Sequence, residues 1–406
     1  MSSARVCRRH VIYMQGYDPR GLAVYYRMFR REYGRYCELY GLEGHIGGHT
    51  NVPGRFSTSW NVLTRGPGWE VETTYEFLRW EDLIRRDFAR PVWWTIWHAL
   101  RVLALFTFDG TLGRFARASW RFGLFVVYPY LVLLALVLAA VVAGMLGAWI
   151  SAAFVLGPLS LLIGVVVAAA ILVFLITKSE PRTFMLYLFD ALVSAFEFAH
   201  HRRPDWEERF QFFADYLADA VKTSEADELI VVGHSSGSCV AVDVMRRALA
   251  SAPDLGCHYP RVTLLTIGAN LPLIGFQPAA DWFREGLTRL AIEPSLNWVD
   301  YQSRHDVINI YPFDPISGHG IDVGNNRRNP KVIKVSFRDL IKPENFSTYR
   351  WRFYDIHFQF LMANQRPAPY DYFMIVCGPL TLPHRAAQAI NASAVVATEE
   401  GVAAQE

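Results

Sequence analysis

Leu229-Ile-Val-Val-Gly-His-Ser-Ser-Gly-Ser238 is the stretch on which the fold of this chain turns. Leu229 to Val232 is a short apolar run, fit for a parallel strand buried on both faces. From Ser238 on, Val240, Val242, Val244, Met245 and Leu249 alternate with Ala and Arg as in a packed helix. Between them stands Gly233-His234-Ser235-Ser236-Gly237, a G-x-S-x-G in the strand–turn–helix context that gives the motif its meaning. A Ser at such a turn occupies a strained backbone region that only close packing can hold. Gly233 and Gly237 lack a Cβ, so strand and helix can close around it. The hydroxyl of Ser235 is then raised above the sheet edge, with the amino end of a helix behind it as a source of N–H donors and positive potential. Ser235 is the candidate nucleophile.

Gly233 to Gly237 resembles the nucleophile elbow of the α/β-hydrolase superfamily, and Gly-His-Ser-x-Gly is most like its lipase and esterase members. The resemblance covers two blocks, about residues 9–80 and 205–377, and the segment between them lies outside the usual pattern. It implies an α/β fold with a mostly parallel sheet flanked by helices. It also implies a catalytic order of Ser, then acid, then His, and it places half of an oxyanion hole after an early strand.

His10 to Met14 reads as that early strand, followed by Gln15-Gly16-Tyr17-Asp18-Pro19-Arg20-Gly21 as a loop. Acyl transfer needs two N–H donors aimed at the developing oxyanion. The candidates are the backbone N–H groups of Tyr17 and Ser236, although Gln15-Gly16 stands where a His-Gly pair or a glycine-rich run is common. Leu22 to Leu42 has a helical period. Trp60 to Leu63 reads as a second strand, and Glu70 to Phe77 as either core strand or the start of a helix. His45-x-x-x-His49 has zinc-like spacing, but Gly47 and Gly48 deny it a helix, and a mobile surface loop is the expectation.

For the acid, Asp306 follows the expected strand Asn297–Tyr301 in a polar loop, while Asp300 and Asp314 compete with it. For the base, His319, His357 and His384 are the histidines after Asp306, and His357 follows the last expected strand, Lys331–Val335, as the resemblance requires. His234 is expected to be a packing residue, because adjacent side chains at such a turn point apart. A serine is a weak nucleophile until a positioned base takes its proton, and that base needs an orienting carboxylate. Ser235, Asp306 and His357 in this order therefore point to hydrolysis of a carboxylic ester, with thioester and amide left open. No cofactor or metal is expected, since no phosphate loop, zinc spacing or nucleotide fingerprint appears.

Between Arg121 and Lys178 no residue is charged over 56 positions, where one membrane span needs about 20. Two spans are expected, near 124–146 and 154–176. Arg114, Arg117 and Arg121 precede the pair, Lys178 and Arg182 follow it, and the joining loop has no charge, which puts both ends in the cytoplasm by the positive-inside rule. A bacterial-type inner (plasma) membrane, with the catalytic part cytoplasmic, is the expected location. Val92 to Phe108, with Trp93, Trp94 and Trp97, suits a helix in the membrane interface. Thr183 to Phe198 reads as another surface-lying helix, with Asp190 and Glu197 counting against a third span. His200 to Arg203 is a basic cluster that suits either a solvated loop or lipid headgroups.

The organisation expected is residues 1–90 and 201–385 as the two parts of a hydrolase domain, 91–200 as a membrane insertion, and 386–406 as a disordered tail. A net charge of +2 implies no nucleic-acid partner. Five cysteines without C-x-x-C spacing suggest reduced thiols. The expected partners are the bilayer and a lipid or other acyl ester, and the sequence leaves oligomeric state open. The rival reading is a membrane scaffold or partner-binding protein that keeps the fold without catalysis. Because the insertion leaves after an early strand and returns before the helix that feeds the elbow strand, the catalytic mouth is expected on the sheet edge from which the insertion emerges, facing the membrane.

Overall fold

The computed structural model describes residues 4–52, 54–155, 157–257, 260–349 and 352–388. It divides into two compact units, one of Met1–Arg86 with Glu197–Glu406, the other Asp87–Phe196.

The first unit is built on a mixed, mostly parallel sheet. Its strands are β1 (Arg8–Met14), β2 (Glu43–Ile46), β3 (Thr50–Val52), β4 (Ser57–Gly66), β5 (Trp69–Leu78), β6 (Glu228–His234), β7 (Arg261–Ile267), β8 (Leu296–Gln302) and β9 (Lys331–Lys334). Their order is β2-β4-β5-β1-β6-β7-β8-β9, with β3 also paired to β4. From β5 to β9 all neighbours are parallel, and β2, β3 and β5 are antiparallel to β4. Glu70 to Phe77 is therefore strand. Pro67-Gly68 joins it to β4, with φ of +75° at Gly68, a turn that glycine takes without a steric cost.

The segment around His45 and His49 is not the free loop expected from its glycines. His45 lies in β2, paired with Leu63, and the ring of His49 packs edge-on against Tyr26. Backbone pairing to β4 supplies the order that side-chain propensity does not.

β6 is buried at every position, as its unbroken apolar run requires. On one face Tyr25, Phe29, Tyr33 and Tyr36 of helix α1 (Leu22–Tyr40) pack with Tyr13, Trp60, Tyr75, Phe77 and Phe373. Helix α9 (Gly237–Ser251) packs against β6 and β7, with α8 (Pro204–Thr223) and α11 (Asp281–Ile292) beside it. Residues 382–388 are helical, with Leu382 and Ala386 buried, so the ordered chain runs past the point where the tail was expected to begin. The rest of that tail lies outside the described residues.

Helix α2 (Glu81–Phe88) leads into the second unit, which holds α3 (Val92–Phe108), α4 (Thr111–Ala118), α5 (Trp120–Ser151), α6 (Gly157–Thr183) and most of α7 (Met185–Ala199). α5 and α6 are long and apolar enough to cross a membrane. They are longer than the expected segments. Small residues let their backbones meet: a Cβ on Gly144 would lie 2.7 Å from the Gly164 carbonyl oxygen and from Ala168 Cβ, and one on Gly164 would lie 2.8 Å from Ala148 Cβ. The amino-terminal part of α5 is different, since Phe122, Val126, Pro129 and Tyr130 are buried within the unit.

α7 is neither surface-lying nor a span. Met185, Phe189, Val193 and Phe196 are buried, and Asp190 accepts a hydrogen bond from Thr95 Oγ1 at 2.9 Å. Its apolar residues fill a protein interior, and Thr95 is the polar partner that allows the acid there. Burial raises the Asp190 carboxyl to about 7.

Candidate active site

Only two residues separate the end of β6 at His234 from the start of α9 at Gly237. Turning the chain this sharply puts Ser235 at φ +57°, a left-handed conformation for a residue with a side chain, at a cost of about 1–3 kcal/mol. Its N–H donates to the Ile267 carbonyl at the end of β7, 3.1 Å away. Both flanking glycines are sterically required. A Cβ on Gly233 would lie 2.6 Å from the Gly237 oxygen, and one on Gly237 would lie 2.3 Å from the Met14 oxygen. α9 is thus pressed onto the end of β1 as well as onto β6.

That contact brings the loop after β1 over the serine. A Cβ on Gly16 would stand 3.1 Å from Ser235 Cβ and 3.4 Å from Ser235 Oγ. The next residue, Tyr17, carries its N–H on the peptide bond that follows Gly16. Ser236 begins the first turn of α9, where N–H groups have no intrahelical acceptor. Its hydroxyl accepts a hydrogen bond from Asn270 Nδ2 at 3.2 Å.

Asp306 lies in the loop after β8. The loop is tied by Ser303 N–H to Asn309 Oδ1, 2.9 Å, and by Ile308 N–H to Asp306 Oδ1, 3.0 Å. The other carboxylate oxygen, Oδ2, is 2.6 Å from His357 Nδ1, and both side chains are buried. His357 stands in the short helix Phe353–Phe358. A carboxylate oxygen can only accept here, so Nδ1 carries the proton and Nε2 keeps a lone pair. Nε2 is buried and has no hydrogen-bond partner among the described residues, Ser235 included. The ring reaches the turn by passing over Gly268, where a Cβ would lie 3.3 Å from His357 Cε1. His234 packs against it, ring centroids 4.7 Å apart, with Nε2 3.3 Å from the His357 carbonyl oxygen. That carbonyl can only accept, so the His234 proton sits on Nε2. Burial, with the neighbouring His357, pushes His234 far below the usual imidazole range and keeps it neutral.

The competing residues are engaged elsewhere. Asp300 accepts from Thr266 Oγ1 at 2.5 Å and Gln302 Nε2 at 2.6 Å inside the sheet, and burial raises it to about 6. Asp314 pairs with Arg327. His319 donates from Nδ1 to the Pro315 carbonyl, lies between Phe276 and Phe313, and is lowered to about 4 by burial. His384 sits beside Thr381. Of the candidates, Asp306 and His357 pair with one another, and the His357 ring packs against His234, the residue before Ser235.

One cluster gave no signal in the sequence. The buried Asp18 carboxylate accepts from Arg20 Nε and Nη2, from the Arg20 N–H, and from Tyr25 Oη at 3.0 Å, with Tyr354 Oη at 3.4 Å. The Arg20 guanidinium lies over the rings of Tyr354 and Phe358, at 5.0 and 5.1 Å. The loop that carries Tyr17 is thereby fastened to the helix that carries His357. Asp18-Pro19-Arg20 reads as an ordinary turn, and only the fold supplies the aromatic rings that make it a clamp.

No group of three or more His, Cys, Asp or Glu side chains suited to a metal occurs among the described residues, and all five cysteines are free thiols. No protein-family model, curated protein or solved structure matches the chain.

Proposed function

We propose that this chain is a membrane-anchored serine hydrolase of lipase-like α/β-hydrolase type, acting on carboxylic esters and on lipid esters in particular. The observation that carries the reading is the buried Asp306–His357 pair, with His357 Nε2 unpartnered, beside a serine held at positive φ beneath Gly16. Ser235 Oγ attacks the acyl carbonyl while His357 Nε2 takes its proton. The N–H groups of Tyr17 and Ser236 stabilise the oxyanion. As the tetrahedral intermediate collapses, His357 returns the proton to the leaving alcohol and the acyl group stays on Ser235. Water, deprotonated by His357, then releases the acid and restores the serine. Asp306 holds the imidazole in the tautomer this sequence of steps needs.

Lipid is the favoured ester because the chain carries two helices long and apolar enough to cross a membrane, and because the candidate site is lined by aromatic rings. Trp80 donates to the Gln15 carbonyl at 3.2 Å, and Trp206 packs against Tyr17 and Trp80. Each buried methylene is worth about 0.8 kcal/mol, so an apolar approach favours long acyl chains. The one-sided Arg114, Arg117, Arg121, Lys178 and Arg182 support a cytoplasmic hydrolase unit in a plasma-type membrane.

The test is labelling of detergent-purified protein by a fluorophosphonate, with Ser235→Ala as control, followed by a panel of lipid classes. Labelling and turnover are expected in the parent and absent in the variant. Undiminished turnover in Ser235→Ala refutes the mechanism, and a parent that neither labels nor turns over any ester favours the scaffold reading.

A further inference from the structure

We propose that the outer face of α3, built on Trp93, Trp97 and Leu100, seats in the headgroup–acyl boundary of the bilayer leaflet nearest the basic flanks, with the hydrocarbon edge between Tyr130 and Leu134 of α5. This rests on reading α5 and α6 as spans and not on the hydrolase chemistry.

The level of the edge follows from the register of the hairpin. Gly144 meets Ala168 and Gly164 meets Ala148. In an antiparallel pair each step up one helix is a step down the other, so Lys178 comes level with Leu134 and Arg182 with Tyr130. A lysine at the end of an uncharged run marks where the chain reaches the polar boundary. Above that level, Leu134–Ser151 is roughly 27 Å of helix and Gly157–Thr177 roughly 31 Å at 1.5 Å per residue, close to the roughly 30 Å of a hydrocarbon core.

The surface of α5 changes character at this level. Phe122, Val126, Pro129 and Tyr130 are buried, whereas Leu134, Leu138, Val142, Met145 and Trp149 are exposed at 54–75%. Trp120, Leu124 and Leu131 are exposed already on the near side, but beyond Leu133 only the small residues Ala140 and Gly144 of α5 are buried.

α3 docks at the same level. Tyr130 Oη donates to the Ala99 carbonyl at 2.9 Å. Ala99 belongs to the buried face of α3, with Thr95, Val102 and Phe106. About half a turn away stand Trp93, 70% exposed, Trp97, 63%, and Leu100, 43%, at the i, i+4, i+7 spacing of one stripe. None of the described residues covers them. Indole rings favour the membrane–water interface, and exposed Arg101 is available to lipid phosphates. The occupant these features fit is the lipid surface continuous with the hairpin.

The test uses the full chain in phosphatidylcholine–phosphatidylglycerol vesicles, with exposed Cys7 and Cys257 replaced by Ser. Nitroxides are placed singly at Trp93→Cys, Trp97→Cys, Leu100→Cys and Leu138→Cys, and depth is read from oxygen against a water-soluble nickel chelate. The expected result is greater oxygen than nickel accessibility at 93, 97 and 100, at a shallow depth just below the phosphates, and a deep position at 138. Nickel-accessible labels at 93 and 97 would overturn the proposal by placing the face in water. Labels shielded from both reagents, with dipolar broadening, would overturn it in favour of a second copy of the chain. An aqueous or shallow Leu138 would overturn it through the hairpin register. None of these results depends on esterase activity.

Discussion

Replacing Asp306 by Asn tests the candidate site at the point where the structure is most specific. An amide has one oxygen where the carboxylate has two. In the parent, Oδ1 accepts the Ile308 N–H at 3.0 Å and Oδ2 accepts the His357 Nδ1–H at 2.6 Å. In Asp306→Asn the single oxygen cannot serve both, and the Ile308 N–H is a fixed backbone donor that needs an acceptor. The amide nitrogen is therefore turned toward His357. It can only donate, so His357 must accept at Nδ1 and carry its proton on Nε2, where it cannot take the serine proton. The pair is buried, so little bulk water is available to mask the change. Loss of the correct tautomer and of the carboxylate facing the imidazolium is expected to lower kcat/KM on a short chromogenic ester by about 10³–10⁴, about 4–5.5 kcal/mol at 1.36 kcal/mol per tenfold. KM should change little, because the acid does not touch substrate. The assay is steady-state hydrolysis at pH 7 to 8, with near-ultraviolet circular dichroism to confirm the fold. A folded Asp306→Asn protein within tenfold of the parent would refute the assignment, as would a larger loss in Asp300→Asn or His319→Ala.

Gly16→Ala would set a methyl group 3.4 Å from Ser235 Oγ and 3.1 Å from its Cβ; a loss of about 10²–10³ in kcat is expected from displacement of the Tyr17 N–H, with expression unchanged, and parent-like turnover would remove Tyr17 from the oxyanion role. Asp190 has its carboxyl raised to about 7 by burial. Its contribution to stability is therefore fully present below its unfolded value near 4 and is lost as pH rises to about 7. Thermal stability in detergent should fall across that window in the parent and less so in Asp190→Asn, and identical profiles would show that this acid does not titrate with folding. Replacing Arg121–Lys178 by a short polar linker should spare hydrolysis of small soluble esters and abolish that of membrane lipid. Equal loss on both would assign the hairpin to folding, and equal retention would reduce it to a tether.

What the sequence made legible is what local chemistry writes into it. The run Leu229–Val232, the two glycines around Ser235 and the uncharged stretch Phe122–Thr177 each express one dominant requirement: a buried strand, a turn without Cβ atoms, a pair of helices long and apolar enough to cross a membrane. Asp306 and His357 were readable only through chain order. Excluding Asp300 took the sheet itself, since Thr266 on the neighbouring strand is what occupies it. The strands β2 and β3 escaped because their order comes from pairing with β4 and not from their own glycine-rich composition. α7 escaped for the converse reason. Its apolar surface is genuine, but composition does not say whether protein or lipid will cover it.

The Asp18 clamp shows why such a site cannot be read one motif at a time. A serine at φ +57° persists only if its surroundings hold it there, and here three chain segments do so. β7 accepts its N–H, the Gln15–Tyr17 loop covers it, and α9 is locked against Met14. The covering loop would be the weakest of these, since Gly16 and the turn at Pro19 leave it with little regular structure. Asp18 compensates by gathering Arg20, Tyr25 and Tyr354 onto one buried carboxylate. Tyr354 and Phe358, which stack with Arg20, flank His357 in the same short helix. The oxyanion donor and the base of the proposed mechanism are thus fixed to a common anchor. Displacing either shifts the other, so substitutions at Asp18 and at Arg20 belong to one coupled unit and should not be additive.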